Sequence, residues 1–148
     1  MEQLFAQCET TQVREEQAGA ALFGYTRLYG EVPGGQAEFL RVPQAHFGPI
    51  KVPAGPRDER FLFLSDVLPT AWQAVEYADV EDGGTLLVVG SGPIGDMAAR
   101  IALHRGLRVI VVDSVRERLA RVHGRGAETI DFTEVDGVGD AVRELTDG

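Results

Sequence analysis

The sequence predicts an α/β fold in which a parallel sheet is covered by helices, preceded by a segment of strands and turns. Three observations carry this. Two short runs, Leu86-Leu87-Val88-Val89 and Val109-Ile110-Val111-Val112, are continuously apolar, as buried parallel strands are. Apolar stripes at helical spacing alternate with them. A glycine-rich loop, Gly90-Ser91-Gly92-Pro93-Ile94-Gly95, joins the first such strand to the helix after it.

The elements follow in chain order. Residues 1–64 are rich in glycine, proline and short alternating runs, the pattern of strands and turns. The first thirty residues have no clear period. Pro33-Gly34-Gly35 signals a turn, and residues 36–42 mostly alternate, with Ala37, Phe39 and Val42 as the inward positions. Residues 49–53 read as another short strand, closed by Ala54-Gly55-Pro56. From Ser65 the period becomes helical. Leu68, Ala71, Trp72 and Val75 share one face, with Ser65 or Asp66 as the cap and Pro69 in the first turn. A strand over 85–90 leads through the glycine loop to a stripe of Ile94, Met97, Ala98, Ile101 and Ala102. After the second strand come a helix over 115–124 through Leu119 and Val122, a strand over 127–132, and a last helix marked by Val138, Ala141, Val142 and Leu145. The continuous apolar strands predict a sheet covered on both faces.

Composition bounds the partners. The 14 Lys+Arg against 23 Asp+Glu give a formal charge of −9, which disfavours nucleic acid and anionic membrane surfaces. No apolar run approaches the roughly 20 residues of a membrane span, and the start lacks a basic leader region. The single cysteine, Cys8, fits a reducing cytoplasm and excludes an internal disulfide framework.

The glycine loop has the form G-x-G-x-x-G between a strand and a helix, the context that makes this string a dinucleotide fingerprint. Gly90 allows the tight turn, Gly92 lets the backbone approach a pyrophosphate, and Gly95 lets helix and strand pack closely. Pro93 at the helix start loses no intrahelical bond, and the N–H groups around Ile94 face the phosphates. Asp113 ends the second strand, where an acid about 20 residues on accepts ribose hydroxyls and repels a 2′-phosphate, favouring NAD over NADP. Arg116 and Arg118 follow it as candidates to flank the adenosine. Two other readings stand beside this: a structural turn with Asp113 as a helix cap, and a methyltransferase, which also pairs a glycine-rich loop with an acid. His46, His104 and His123 form no spaced set with another ligand type.

The stretch Leu64-Ser65-Asp66-Val67-Leu68-Pro69-Thr70-Ala71-Trp72-Gln73-Ala74-Val75, with residues 34–43 and the glycine loop, resembles the zinc-dependent medium-chain alcohol dehydrogenases, their formaldehyde-dehydrogenase-like branch above all. The resemblance runs from about Cys8 to the end. It implies a partial GroES-like β domain over residues 1–64 and the first half of a NAD-binding Rossmann domain over 65–148. It implies NAD and zinc as cofactors, and alcohol or aldehyde as the substrate of the parent enzyme. Asp66 falls at the position of the last catalytic zinc ligand, and Cys8 at the last ligand of the structural zinc. The family's other zinc ligands and strands four to six have no counterpart here. The expectation is therefore a piece truncated at both ends that does not turn over alcohol alone, with a non-catalytic nucleotide-binding fragment as the alternative. The unpaired edge of its first strand makes a second copy of the chain a candidate partner.

Overall fold

The computed structural model describes residues 9–146, so Cys8 lies outside the described residues. Two compact units are present, Met1–Pro53 and Ala54–Gly148.

In the first unit the chain runs through short 3-10 turns at Glu9–Thr11, Arg14–Glu16 and Arg27–Tyr29. Isolated bridges pair Gln12 with Ala20 and Phe23 with Val32. Gly34 approaches Gly24 so closely that a Cβ on it would lie 2.8 Å from the Gly24 Cα. The strands expected over 36–42 and 49–53 are not formed; both segments are irregular, and Phe39 and Ile50 are each 90% exposed. Alternation alone does not make a strand. The pattern needs a partner ladder and a core to cover its apolar side, and among the described residues it has neither.

The second unit is built as the apolar pattern from Ser65 onward predicts. Helix α1 spans Val67–Tyr77, strand β1 Thr85–Val89, helix α2 Pro93–His104 and strand β2 Arg108–Asp113. Helix α3 spans Arg116–His123, strand β3 Glu128–Asp131 and helix α4 Val138–Thr146. The three strands form one parallel sheet in the order β1-β2-β3. Leu87 pairs with Ile110, and Asp113 with Asp131. The register therefore brings the carboxyl ends of β1 and β2 to the same edge of the sheet.

Strand β2 is buried on both sides. Val109 and Val111 pack with Ala71, Val75, Ala98, Ala99 and Ala102 of α1 and α2. Ile110 and Val112 join Ile130 against Val138, Ala141, Val142 and Leu145 around α4. The three alanines of α2 leave room for the helix to lie close to the strands. Strand β1 departs from the expectation of two covered faces. Leu86 and Val88 pack on the α1/α2 side, whereas Leu87 is 41% and Val89 77% exposed. Helix α4 covers β2 and β3 and does not extend over β1, so apolar sequence there does not translate into burial.

Two helical faces also shift from their predicted centres. On α1 the buried residues are Ala71 and Val75, while Trp72 is half exposed at the flank. On α2 they are Ala98, Ala99 and Ala102, and Ile94 is 42% exposed. Asp66 occupies the cap position of α1, but its carboxylate makes no bond to a helix N–H; it accepts from the Thr70 hydroxyl at 3.0 Å. No helix among the described residues is long and apolar enough to cross a membrane.

Candidate nucleotide-binding site

The loop between β1 and α2 is shaped by its glycines, each by a different constraint. Gly90 has φ +89°, a backbone conformation that side chains disfavour. Its N–H donates to the Val112 carbonyl at 2.7 Å, continuing the β1–β2 ladder into the turn. Gly95 sits where a Cβ would lie 1.9 Å from the Gly90 carbonyl oxygen, so only glycine lets α2 start this close to the strand. Gly92 is different. Its φ is −69°, and a Cβ on it would meet nothing within 4 Å. Neither strain nor packing demands glycine there, and the space above its backbone is open.

Gly92 is also the cap of α2. The first helical bond runs from the Asp96 N–H to the Gly92 carbonyl at 2.8 Å. The N–H groups of Ile94 and Gly95 precede it and have no intrahelical acceptor, and Pro93 has no N–H to lose. Free N–H donors and the positive end of a helix dipole together form an electrostatic environment that favours negative charge. Asp96, in the same first turn, is paired with Arg125.

Asp113 closes the loop from the side. Only 6% exposed, its carboxylate accepts the Ser91 N–H at 2.6 Å on Oδ2. Oδ1 accepts the N–H groups of Ser114 at 2.7 Å and Val115 at 2.8 Å. The Ser91 N–H, then that of Val115, holds the carboxyl below its usual range despite burial, with lesser help from Ser114 and Arg118. Asp113 thus fixes both the glycine loop and the entry to α3. Three of its roughly four acceptor positions are filled, leaving one for an incoming hydroxyl. The Arg118 guanidinium lies 3.8 Å from Oδ2. Arg116 instead pairs with Glu134 at 2.7 Å.

Ser91 was not singled out by its sequence position. It is 2% exposed, and among the described residues its hydroxyl has no hydrogen-bond partner. The signal that could have found it is its place between Gly90 and Gly92, where the turn drives the side chain inward.

The structure thus brings Gly90, Gly92, Pro93, Ile94, Gly95, Asp113 and Arg118 to one end of the sheet. Asp66 is not part of this group; it is exposed at the start of α1. Among the described residues no three His, Cys, Asp or Glu side chains come together as metal ligands. The donor set of a zinc site is not assembled there. His123 Nδ1 lies 3.2 Å from the Ala127 carbonyl, closing the turn after α3.

A three-stranded parallel β-α-β-α-β sheet with a glycine loop at one helix N-terminus and an acid at the end of the next strand is an arrangement shared with α/β proteins of the doubly wound type. Comparison with known proteins narrows the class. The chain is 36% identical over 150 residues to a zinc-type alcohol dehydrogenase-like protein of Bacillus subtilis, matching 99% of this chain and 39% of that protein. It is 33% identical over 138 residues to a glutathione-independent formaldehyde dehydrogenase of the same organism, matching 90% of this chain and 33% of the other. Among solved structures it superposes on an alcohol dehydrogenase from Thermus sp. ATN1 with a TM-score of 0.79 and 32% identity, over 90% of this chain and 41% of that one. No protein-family model matches. The chain belongs to the zinc-type medium-chain alcohol dehydrogenase family. It spans about two fifths or less of the length of these relatives.

Proposed function

We propose that this chain is the adenosine- and pyrophosphate-binding part of an NAD-linked, zinc-dependent alcohol dehydrogenase, and that it does not turn over alcohol by itself. The observation that carries the reading is the open space above Gly92. A glycine that neither backbone strain nor packing requires, set at a helix N-terminus beside a buried carboxylate, suits the approach of a pyrophosphate. On this reading the N–H groups of Ile94 and Gly95 hold the phosphates. The remaining acceptor position of Asp113 takes a ribose hydroxyl and disfavours a 2′-phosphate, and Arg118 flanks the adenosine.

When bound, NAD supplies the hydride acceptor and zinc the Lewis acid for exchange between alcohol and aldehyde in the parent enzyme. Asp66 and Cys8 are this chain's proposed contributions to the catalytic and structural zinc sites. The residues 1–64 correspond to part of the GroES-like domain. Catalytic zinc needs about three protein ligands, so Asp66 alone does not hold the metal. The resemblance to formaldehyde dehydrogenases makes a small hydroxymethyl compound the proposed parent substrate.

Thermal-shift titration of the whole chain with NAD, NADP and S-adenosylmethionine tests this. NAD should raise the midpoint more than NADP at equal concentration, and S-adenosylmethionine should leave it unchanged. Equal shifts with NAD and NADP contradict the role of Asp113. A response to S-adenosylmethionine alone assigns the loop to methyl transfer. No response to any of the three makes it a structural turn, a reading favoured by the three N–H donors already on Asp113.

A further inference from the structure

A second concave surface lies in the same compact unit and shares no residue with the glycine loop. The Asp58–Leu64 turns pack on α1, and with α1 and α2 they enclose a groove of about 530 Å³, within the range of ligand pockets. Phe63, Leu64, Leu68, Trp72, Met97 and Ile101 supply its apolar lining. Leu68 and Trp72 are four residues apart on α1, as are Met97 and Ile101 on α2, so each helix presents one face. Phe63, Leu64 and Trp72 are each 44–50% exposed, leaving a large apolar area open to water.

The rim of this groove is cationic, in a chain whose formal charge is −9. Arg60, Arg100, His104 and Arg105 all line it. Arg105 is committed: it lies over the Trp72 ring at 4.7 Å and pairs with Glu76. Arg60 and Arg100 are not. Among the described residues neither guanidinium has an ion-pair or hydrogen-bond partner. The nearby acid Glu59 is taken by Arg57. An apolar lining with two uncommitted guanidinium groups at its rim complements a molecule with an apolar chain and an anionic head.

We propose that this groove binds an amphipathic carboxylate, its chain against Trp72, Met97 and Ile101 and its head on Arg60 and Arg100. Guanidinium groups match carboxylate geometry through paired N–H donors. A small ligand fits better than an acidic protein surface, because an extended anionic partner meets the repulsion of the whole chain, whereas a single carboxylate meets the local charge. The assignment goes beyond the nucleotide reading and does not depend on it.

Trp72 is the only tryptophan in the chain, so its fluorescence reports directly on this groove. The experiment titrates the whole chain with decanoate below its micellar concentration, and separately with decanol and with acetate, while far-UV circular dichroism monitors the fold. Decanoate should produce a saturable change in Trp72 emission with an affinity about tenfold above that of decanol, as charge-assisted bonds of this kind imply. Acetate should produce none. The double substitution Arg60→Gln with Arg100→Gln, at two exposed positions, should bring decanoate down to the affinity of decanol and leave decanol unchanged. Equal binding of decanoate and decanol by the unmodified chain would overturn the proposal. So would an unchanged decanoate affinity in the double variant, or an emission change accompanied by loss of helix.

Discussion

Gly95 and Gly92, three residues apart in one loop, should respond to the same substitution in opposite ways. In Gly95→Ala the new Cβ would lie 1.9 Å from the Gly90 carbonyl oxygen, 2.9 Å from its carbon and 3.4 Å from Val88 Cγ1. The first of these is about 1.5 Å inside ordinary contact distance, and the obstacle is backbone rather than a flexible side-chain end. Gly90 is itself held at φ +89° and tied to Val112, so it yields only by breaking that ladder bond and the β1–α2 turn. Overpacking of this kind costs about 3 kcal/mol, the upper end of its usual range. Helix propensity favours alanine by about 1 kcal/mol, so the clash wins and the net loss is about 2 kcal/mol. In Gly92→Ala the new methyl meets nothing within 4 Å, and the loss of a good cap residue keeps the stability change to about 1 kcal/mol or less. It does, however, place carbon where the pyrophosphate is proposed to lie. Urea unfolding followed by circular dichroism, paired with NAD titration by calorimetry, separates the two. Gly95→Ala should lower the unfolding midpoint, and Gly92→Ala should keep it but weaken NAD at least about tenfold. A Gly95→Ala chain as stable as its parent would refute the packing argument, and undiminished NAD binding by Gly92→Ala would refute the ligand argument.

Three further outcomes follow from the same geometry. Asp113→Asn should cost about 2 kcal/mol at neutral pH, because an amide cannot accept all three N–H groups that the carboxylate accepts. The native carboxyl titrates below the ordinary 3.8, so its contribution is fully present above that pH and is lost as pH falls through the depressed native value. Urea titrations along the acid limb should show the gap between parent and variant closing, and a constant gap would sink the argument. Ser91→Ala removes a buried hydroxyl that has no protein partner, so the unfolding midpoint should hold or rise; a loss above about 1 kcal/mol would mean the hydroxyl is well bonded. Finally, among the described residues β1 has one unpaired edge, beside the exposed Leu87 and Val89, so the chain should self-associate as concentration rises, and Val89→Lys should suppress this. Sedimentation velocity that finds only monomer at every concentration of the parent would contradict it.

What could be read from the sequence is what local chemistry dictates. The strand-helix alternation from Ser65 onward, the helix start at Pro93 and the demand for glycine at Gly90 and Gly95 follow from periodicity, a fixed proline φ and steric exclusion along a few residues. Each was legible before any packing was known, and so was the family, because its motifs are strings. The tertiary structure decided the rest. It left the alternating residues 36–42 and 49–53 irregular, since a strand exists only with a partner beside it. It buried β2 on both faces but β1 on one, a difference invisible in two equally apolar runs and set by where α4 happens to lie. It turned Asp113 into a structural acceptor of three N–H groups, turned Ser91 inward, and set Arg60 and Arg100 at the rim of one groove across forty residues of chain. Burial and pairing depend on what arrives from elsewhere, and no short window of sequence contains that.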